Sequence, residues 1–283
     1  MAVRLITDSA SDLPLALEKK FQATIVPLTV NFGDQEHYKD RFEINSEEFF
    51  KKLQEKNVTP FTSQVNPGEF EVAFKDILDQ GDDVLGIFLS AELSGTYNSA
   101  VLARETLDEF KDRIHLVDSE SVSLGLSLLV LRAGEMIEQG HTAAEAATQL
   151  ESLKKTMQTI IVVDTLEYLR KGGRLSAGAA FFGSVLNLKP ILTIEGGKLI
   201  AKDKVRGRKK AIKWIKDWIN ENHYDLKGKT VFLVHAAALD YMNELKETIQ
   251  TEFAPKEILH TQVGGVVGTH SGPGAIGICF LND

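Results

Sequence analysis

Three short polar stretches hold the residue types best suited to chemistry. Thr62, Ser63 and Gln64 lie in PFTSQVNPG, Ser94, Gly95 and Thr96 in LSAELSGTYNSA, and Thr269, His270 and Ser271 in GTHSGPG. Hydroxyls and backbone N–H groups near a helix N-terminus suit an anion such as a carboxylate or phosphate. Imidazole changes charge near neutral pH. A serine hydrolase or acyl transferase would use Ser94 as nucleophile and His270 as base, with Asp8 or Asp118 as orienter. The chain lacks a G-x-S-x-G elbow, but triads are defined by geometry and not by motif. Plain structural uses stand beside these. Thr62 and Ser63 can cap the turn leading to Pro67, Ser94 can cap a helix, and the glycines of residues 264–277 can make a tight crossover.

Other chemistries lack support. GPGAIG, residues 272–277, matches G-x-G-x-x-G, but only ICFLND follows it. That tail has no room for a crossover helix, a second strand and a ribose-binding acid, so it reads as one closing strand. No Walker A loop, H-x-x-x-H or C-x-x-C occurs, and the seven histidines are scattered. The formal net charge of −8 argues against nucleic acid as main partner. The single cysteine, Cys279, cannot form an internal disulfide, and the N-terminus reads as no signal peptide, so a reduced cytoplasmic setting is expected. The apolar run SLGLSLLVLRAG is broken by Arg132 short of membrane-spanning length and reads as a buried helix.

The elements that must position these residues alternate in the first half of the chain. VRLITDS, DVLGIFLS and RIHLVDS are apolar runs of strand length, and TIVPLTVNFG reads as one strand with Pro27 at an edge or bulge. Asn45 with Glu48, and Thr142 with Glu145, make capping-box patterns. Pro67 opens a helix with Phe70, Ala73, Phe74 and Ile77 inward. Further helices are predicted near 98–110 and 122–139. The second half mixes a Gly196-Gly197 hairpin, a helix with Ile212, Ile215, Trp218 and Ile219 inward, and crossover units. The fold class is α/β, with two packed α/β domains. Residues 1–155 form a doubly wound, mostly parallel Rossmann-like domain, and residues 156–283 a mixed sheet with helices.

Taken in order, ITDSASDL, TSQVNPGEF, LSAELSGTYNSA, LVDSESVS, LEYLRKGGRLS, LKPIL and GGVVGTHSGPGAIG resemble the DegV family across essentially the whole chain. One departure is QVNP, where that family often has QPSP. The resemblance implies a long-chain fatty acid between the two domains and no cofactor. Its carboxyl group would be held by Thr62, Ser94 and His270, with Arg206 as a further contact and Ser63, Gly95, Thr96 and Thr269 in supporting loops. It also implies a separate fatty acid kinase that phosphorylates the bound acid to an acyl phosphate for phospholipid synthesis, so that the protein presents substrate and is not the catalyst. Transient membrane contact is compatible with such a role. Phe181, Phe182, Val185, Leu186 and Ile191 are tunnel candidates. On composition alone the basic turn with Arg170, Lys171 and Arg174 reads as solvated surface, and in the context of the resemblance it becomes a docking point for the kinase.

Overall fold

The computed structural model describes residues 2–56, 58–175 and 187–283. In chain order the first half contributes β1 (Val3–Asp8), α1 (Leu15–Phe21), β2 (Thr24–Val26), β3 (Thr29–Phe32), β4 (Glu36–Lys39), α2 (Ser46–Glu55) and β5 (Phe61–Ser63). It continues with α3 (Pro67–Leu78), β6 (Asp83–Phe88), α4 (Thr96–Thr106), β7 (Ile114–Asp118), α5 (Leu124–Glu138) and α6 (Ala143–Leu153). The second half contributes β8 (Met157–Val162), α7 (Glu167–Lys171), β9 (Leu188–Glu195), β10 (Lys198–Arg206), α8 (Arg208–Glu221), β11 (Thr230–His235), α9 (Leu239–Phe253), β12 (Glu257–Gln262), α10 (Gly265–Ser271) and β13 (Ile276–Leu281).

Two main sheets result. The first is all parallel, in the order β2-β1-β6-β7. The second is mixed, in the order β10-β9-β8-β13-β11-β12, and only β11 and β12 pair in parallel. The segment TIVPLTVNFG is not one strand. Pro27, which lacks an N–H for a ladder, separates β2 in the parallel sheet from β3 in a third, antiparallel sheet of order β4-β3-β5. That small sheet brings Thr62 opposite Val30.

Helix α5 explains how the sheets meet. It touches β1 and β6 on one side and β11 and β13 on the other. A helix covered all round must be apolar all round, and residues Leu124–Leu131 are buried without interruption. One core therefore runs through both halves of the chain, from Leu5 and Phe88 to Val234 and Leu281. The opposite face of the mixed sheet has its own core, where Ile212, Ile215 and Ile219 of α8 and Met242 and Leu245 of α9 pack on Ile160, Ile191 and Ile278. Strand alternation assigns the faces. Ile160, Val162, Ile191 and Leu233 turn to these helices, while their neighbours Ile161, Val163, Leu192 and Val234 face inward.

The two capping patterns read from the sequence form as expected, with Asn45 and Thr142 each making a reciprocal box with the acid three residues on. Asn66 makes a third with Glu69, which the sequence reading did not name. Gly196 and Gly197 turn the β9–β10 hairpin with φ of 54° and 77°. The C-terminal GPGAIG leads into β13, the closing strand between β8 and β11. The glycine-rich stretch before it is not a loop, since residues 265–271 form the short helix α10.

Candidate functional site

The inward face of the mixed sheet, the end of α5 and helix α10 enclose a cavity of about 360 Å³, within the range of small-molecule sites. Leu89, Leu124, Ile161, Leu192, Leu199 and Val234 make its apolar body. Thr62, Ser63, Gln64, Ser94, Arg174 and His270 gather at its wall as polar groups. Three of the stretches that could carry chemistry thus meet, although they are far apart in sequence.

Each polar residue has a local reason for its place. The cap of α3 is Asn66, not Thr62 or Ser63, so neither hydroxyl is taken up by that helix. Ser63 instead accepts from Asn31 Nδ2 at 3.1 Å. Thr62 Oγ1 stands 3.0 Å from His270 Nε2. Ser94 partly caps α4: its Oγ accepts from the Thr96 N–H at 3.3 Å and lies 3.0 Å from Thr96 Oγ1. Gly95 lies against the Gln64 amide, which donates to Ser99 Oγ at 2.9 Å. Thr269 is buried and donates to the Gly265 carbonyl within its own helix at 2.8 Å, serving α10 rather than the cavity.

His270 lies in the last turn of α10, which is wedged between α2, α7, β3 and β5. Its Nδ1 is buried without a hydrogen-bond partner. Burial, and then the positive charge of Arg174, push its pKa down to about 4, so the imidazole is neutral at pH 7. Gly172 makes room for it, because a Cβ there would overlap Nδ1. The Gly-Gly pair after α7 is therefore a packing feature as well as a turn.

Arg174 is half-buried. It donates from Nε to the Leu93 carbonyl at 3.1 Å and from Nη1 to the Gly172 carbonyl at 2.6 Å. It thus ties the basic turn to the Ser94 loop and lines the cavity, a position the sequence did not indicate. Arg170 and Lys171 are exposed, and Lys171 pairs with Glu167 at 2.7 Å. The tip of the β9–β10 hairpin holds the same loop from another side: Ser90 Oγ donates to the Gly197 carbonyl at 2.8 Å, and Lys198 lies 3.2 Å from Glu92.

Two expected contacts fall elsewhere. Arg206 is exposed at the far end of β10 and does not line the cavity. Only Leu199, near the start of that strand, does so, and seven residues of strand span roughly 23 Å. Ile191 faces α8 and α9; its neighbour Leu192 lines the cavity instead. Phe181, Phe182, Val185 and Leu186 lie outside the described residues. Ser271, read with His270 as part of a polar stretch, also lines the wall, whereas sequence reading missed Ser123 and His235 there. His235 Nδ1 accepts the Ala238 N–H at 3.3 Å, and burial lowers its pKa.

A hydrolytic triad needs the nucleophile bonded to its base and the base to an orienter. Here Ser94 bonds Thr96 and His270 bonds Thr62. Asp8 accepts the N–H groups of Ala10 and Leu89, and Asp118 those of Ala91 and Glu120. The arrangement instead suits a small anionic or acidic head group on a long apolar body. Two hydroxyls and a neutral imidazole offer it hydrogen bonds without a bidentate ion pair.

Two layers of α/β structure around an inter-sheet apolar cavity with one polar cluster define the class of protein. Over residues 2–283 the chain matches the model of a family described as uncharacterised protein, DegV family, and it belongs to the DegV family. A DegV domain-containing protein of Caldanaerobacter subterraneus is 40% identical over 278 residues, covering 98% of both chains. Among solved structures, a DegV family protein from Thermus thermophilus, described for its fatty acid binding, superposes with a TM-score of 0.91 at 35% identity over all of both chains. Bacillus subtilis DegV, described as a fatty acid binding protein, does so with a TM-score of 0.88 at 32% identity, again over all of both chains.

Proposed function

We propose that this protein binds a long-chain fatty acid in the inter-sheet cavity, with the carboxyl group at Thr62, Ser94 and His270. It presents that group to a separate fatty acid kinase, which phosphorylates it to an acyl phosphate destined for phospholipid synthesis. The chain itself is a carrier working in the cytoplasm and not the phosphoryl-transfer catalyst. The observation that carries the reading is the junction of apolar body and polar cluster in one cavity. The fatty-acid-binding relatives and the ordered motif set support it.

Magnitudes divide the labour. Burying about 14 methylenes at ~0.8 kcal/mol each contributes roughly 11 kcal/mol before the costs of binding. A hydrogen bond to a charged group contributes about 1.5–3 kcal/mol net. The apolar body therefore dominates affinity, while the polar cluster orients the carboxyl group and leaves an oxygen free to attack a donor phosphate. Arg174 has Nε and Nη1 engaged by carbonyls. These bonds use two of its five N–H donors and anchor the guanidinium to backbone, while a tight bidentate clamp would stabilise the carboxylate and blunt it as a nucleophile.

Organic extraction of protein purified from bacteria, followed by mass analysis, tests the reading. A stoichiometric long-chain fatty acid is expected. A cavity filled by a nucleotide or sugar phosphate, with no lipid, would overturn it.

A further inference from the structure

The motif ITDSASDL has no role in the cavity as described, yet it holds two of three buried carboxylates, Asp8, Asp12 and Asp40, that cluster at the base of α10. Burying carboxylates is costly unless their oxygens are well satisfied. Asp12 Oδ1 accepts the Gly264 N–H at 2.6 Å, and Asp40 Oδ1 accepts the Gly265 N–H at 2.8 Å. These bonds span 252 and 225 residues of chain. The N-cap of α10 is Gly264, which has no side chain to satisfy the first N–H groups. The two acids supply that function from the first half of the chain.

The surroundings are arranged for this contact. A Cβ on Gly264 would stand 3.1 Å from oxygens of both carboxylates, and one on Gly268 would stand 2.6 Å from the Phe49 ring. The glycines thus bring the α10 backbone within reach of the acids. Asp12 is fixed in turn. Its Oδ2 accepts from Ser123 Oγ, and Asp12 and Ser123 both hold positive φ, 49° and 52°. Such conformations persist only where the surroundings impose them. Ser123 is itself a wall residue of the cavity.

We propose that Asp12 and Asp40 are positioning residues for His270: by holding the first turn of α10 they set where the imidazole stands at its other end. The helix is seven residues long, so the lever spans roughly 10 Å. Beyond Thr62 and Arg174, the neighbour that fixes the ring is Gly172. The functional consequence rests on the carboxyl-binding role proposed for His270; the positioning itself does not.

The test is NMR titration of the His270 imidazole, assigned with His270→Gln, in Asp12→Ala and Asp40→Ala. Releasing α10 exposes the ring, so its pKa should rise from about 4 toward the ordinary histidine value. Kinase-dependent phosphorylation of the bound acid should fall about tenfold in kcat, with lipid content unchanged. Asp12→Asn and Asp40→Asn keep an oxygen acceptor and should restore both readouts. In the wild-type protein the Gly264 and Gly265 amides should exchange with solvent as slowly as those of α5. Folded alanine variants with an unmoved His270 titration overturn the proposal. So does fast exchange of the two amides, whatever the variants do. A shifted titration in a protein that carries no fatty acid would leave the positioning intact and remove the functional reading instead.

Discussion

One wall of the cavity's apolar body comes from neighbouring strands of one sheet, whereas its polar cluster comes from segments around residues 62, 94, 174 and 270. The first region is held by strand pairing and by a period of two: once β8, β9 and β11 are in register, Ile161, Leu192 and Val234 must share a face. The second has no such lattice. It depends on single bonds between segments, such as His270 to Thr62 and Arg174 to Leu93. Substitutions in the two regions should therefore fail differently, one in binding and the other in presentation.

The largest effect is expected in the apolar body. Leu192→Trp should obstruct the cavity and displace several methylenes, weakening fatty acid retention about a hundredfold. Ile191→Ala, one residue away on the other face, should lower the unfolding midpoint and leave retention alone. Fluorescent fatty acid displacement beside thermal melts would separate the two. Equal effects of both substitutions on retention would break the division of faces.

Next come the polar residues. Thr62→Ala, Ser94→Ala and His270→Gln should each cut kinase-dependent phosphorylation about tenfold to a hundredfold while changing lipid retention less than about tenfold. If Ser94→Ala abolishes binding and Leu192→Trp leaves it untouched, the assignment of roles is reversed.

Arg174→Ala should slow phosphorylation several-fold, with Arg170→Ala milder. Arg174 is both a structural tie and a charge, so part of its defect should persist in high salt. The Arg170 defect should vanish there, because exposed charges are screened. Steady-state rates across kinase concentration and ionic strength would show this. Wild-type rates for both variants at low salt and sub-saturating concentration would return the turn to plain solvated surface.

The smallest effect concerns stability. Burial raises Asp8 and Asp12 to about 7 and Asp40 to about 6, from an ordinary 3.8. The folded protein thus holds more protons than the unfolded chain between those values. These groups contribute stability that is full below the ordinary value and lost as pH rises through about 6 to 7. His270, lowered from 6.5 to about 4, acts oppositely, contributing stability that is lost as pH falls through that window. The three acids outnumber it, so the urea midpoint should fall as pH rises from about 4 to about 7. Asp40→Asn should flatten that slope, and an unchanged slope would refute the assignment.

The same contrast governs what was legible in the sequence. Periodicity and caps are local, so the parallel strands, the capping boxes of α2 and α6, the inner faces of α3 and α8 and the Gly196-Gly197 hairpin could be read directly, whereas the third box, at Asn66, was not. The split of TIVPLTVNFG between two sheets turned on Pro27 and on a third sheet that no local pattern announces. Residues 265–271 looked like a loop because glycine is a poor helix former, and only the carboxylates of Asp12 and Asp40 show why glycines serve there. In the site, Thr62, Ser94 and His270 were legible as polar residues in turns. Arg206 and Ile191 were misplaced because the register of β9 and β10 decides which side chains reach the cavity. Arg174 carried only a charge signal, and its reach to the Leu93 carbonyl follows from tertiary packing.

The most direct measurement is NMR of palmitate labelled at its carboxyl carbon, bound to the purified protein. One bound carboxyl resonance is expected. It should move in Thr62→Ala, Ser94→Ala and His270→Gln and stay fixed in Arg206→Ala. A carboxyl resonance indifferent to all three polar substitutions, or displaced by Arg206→Ala instead, would contradict the placement of the head group at this end of the cavity.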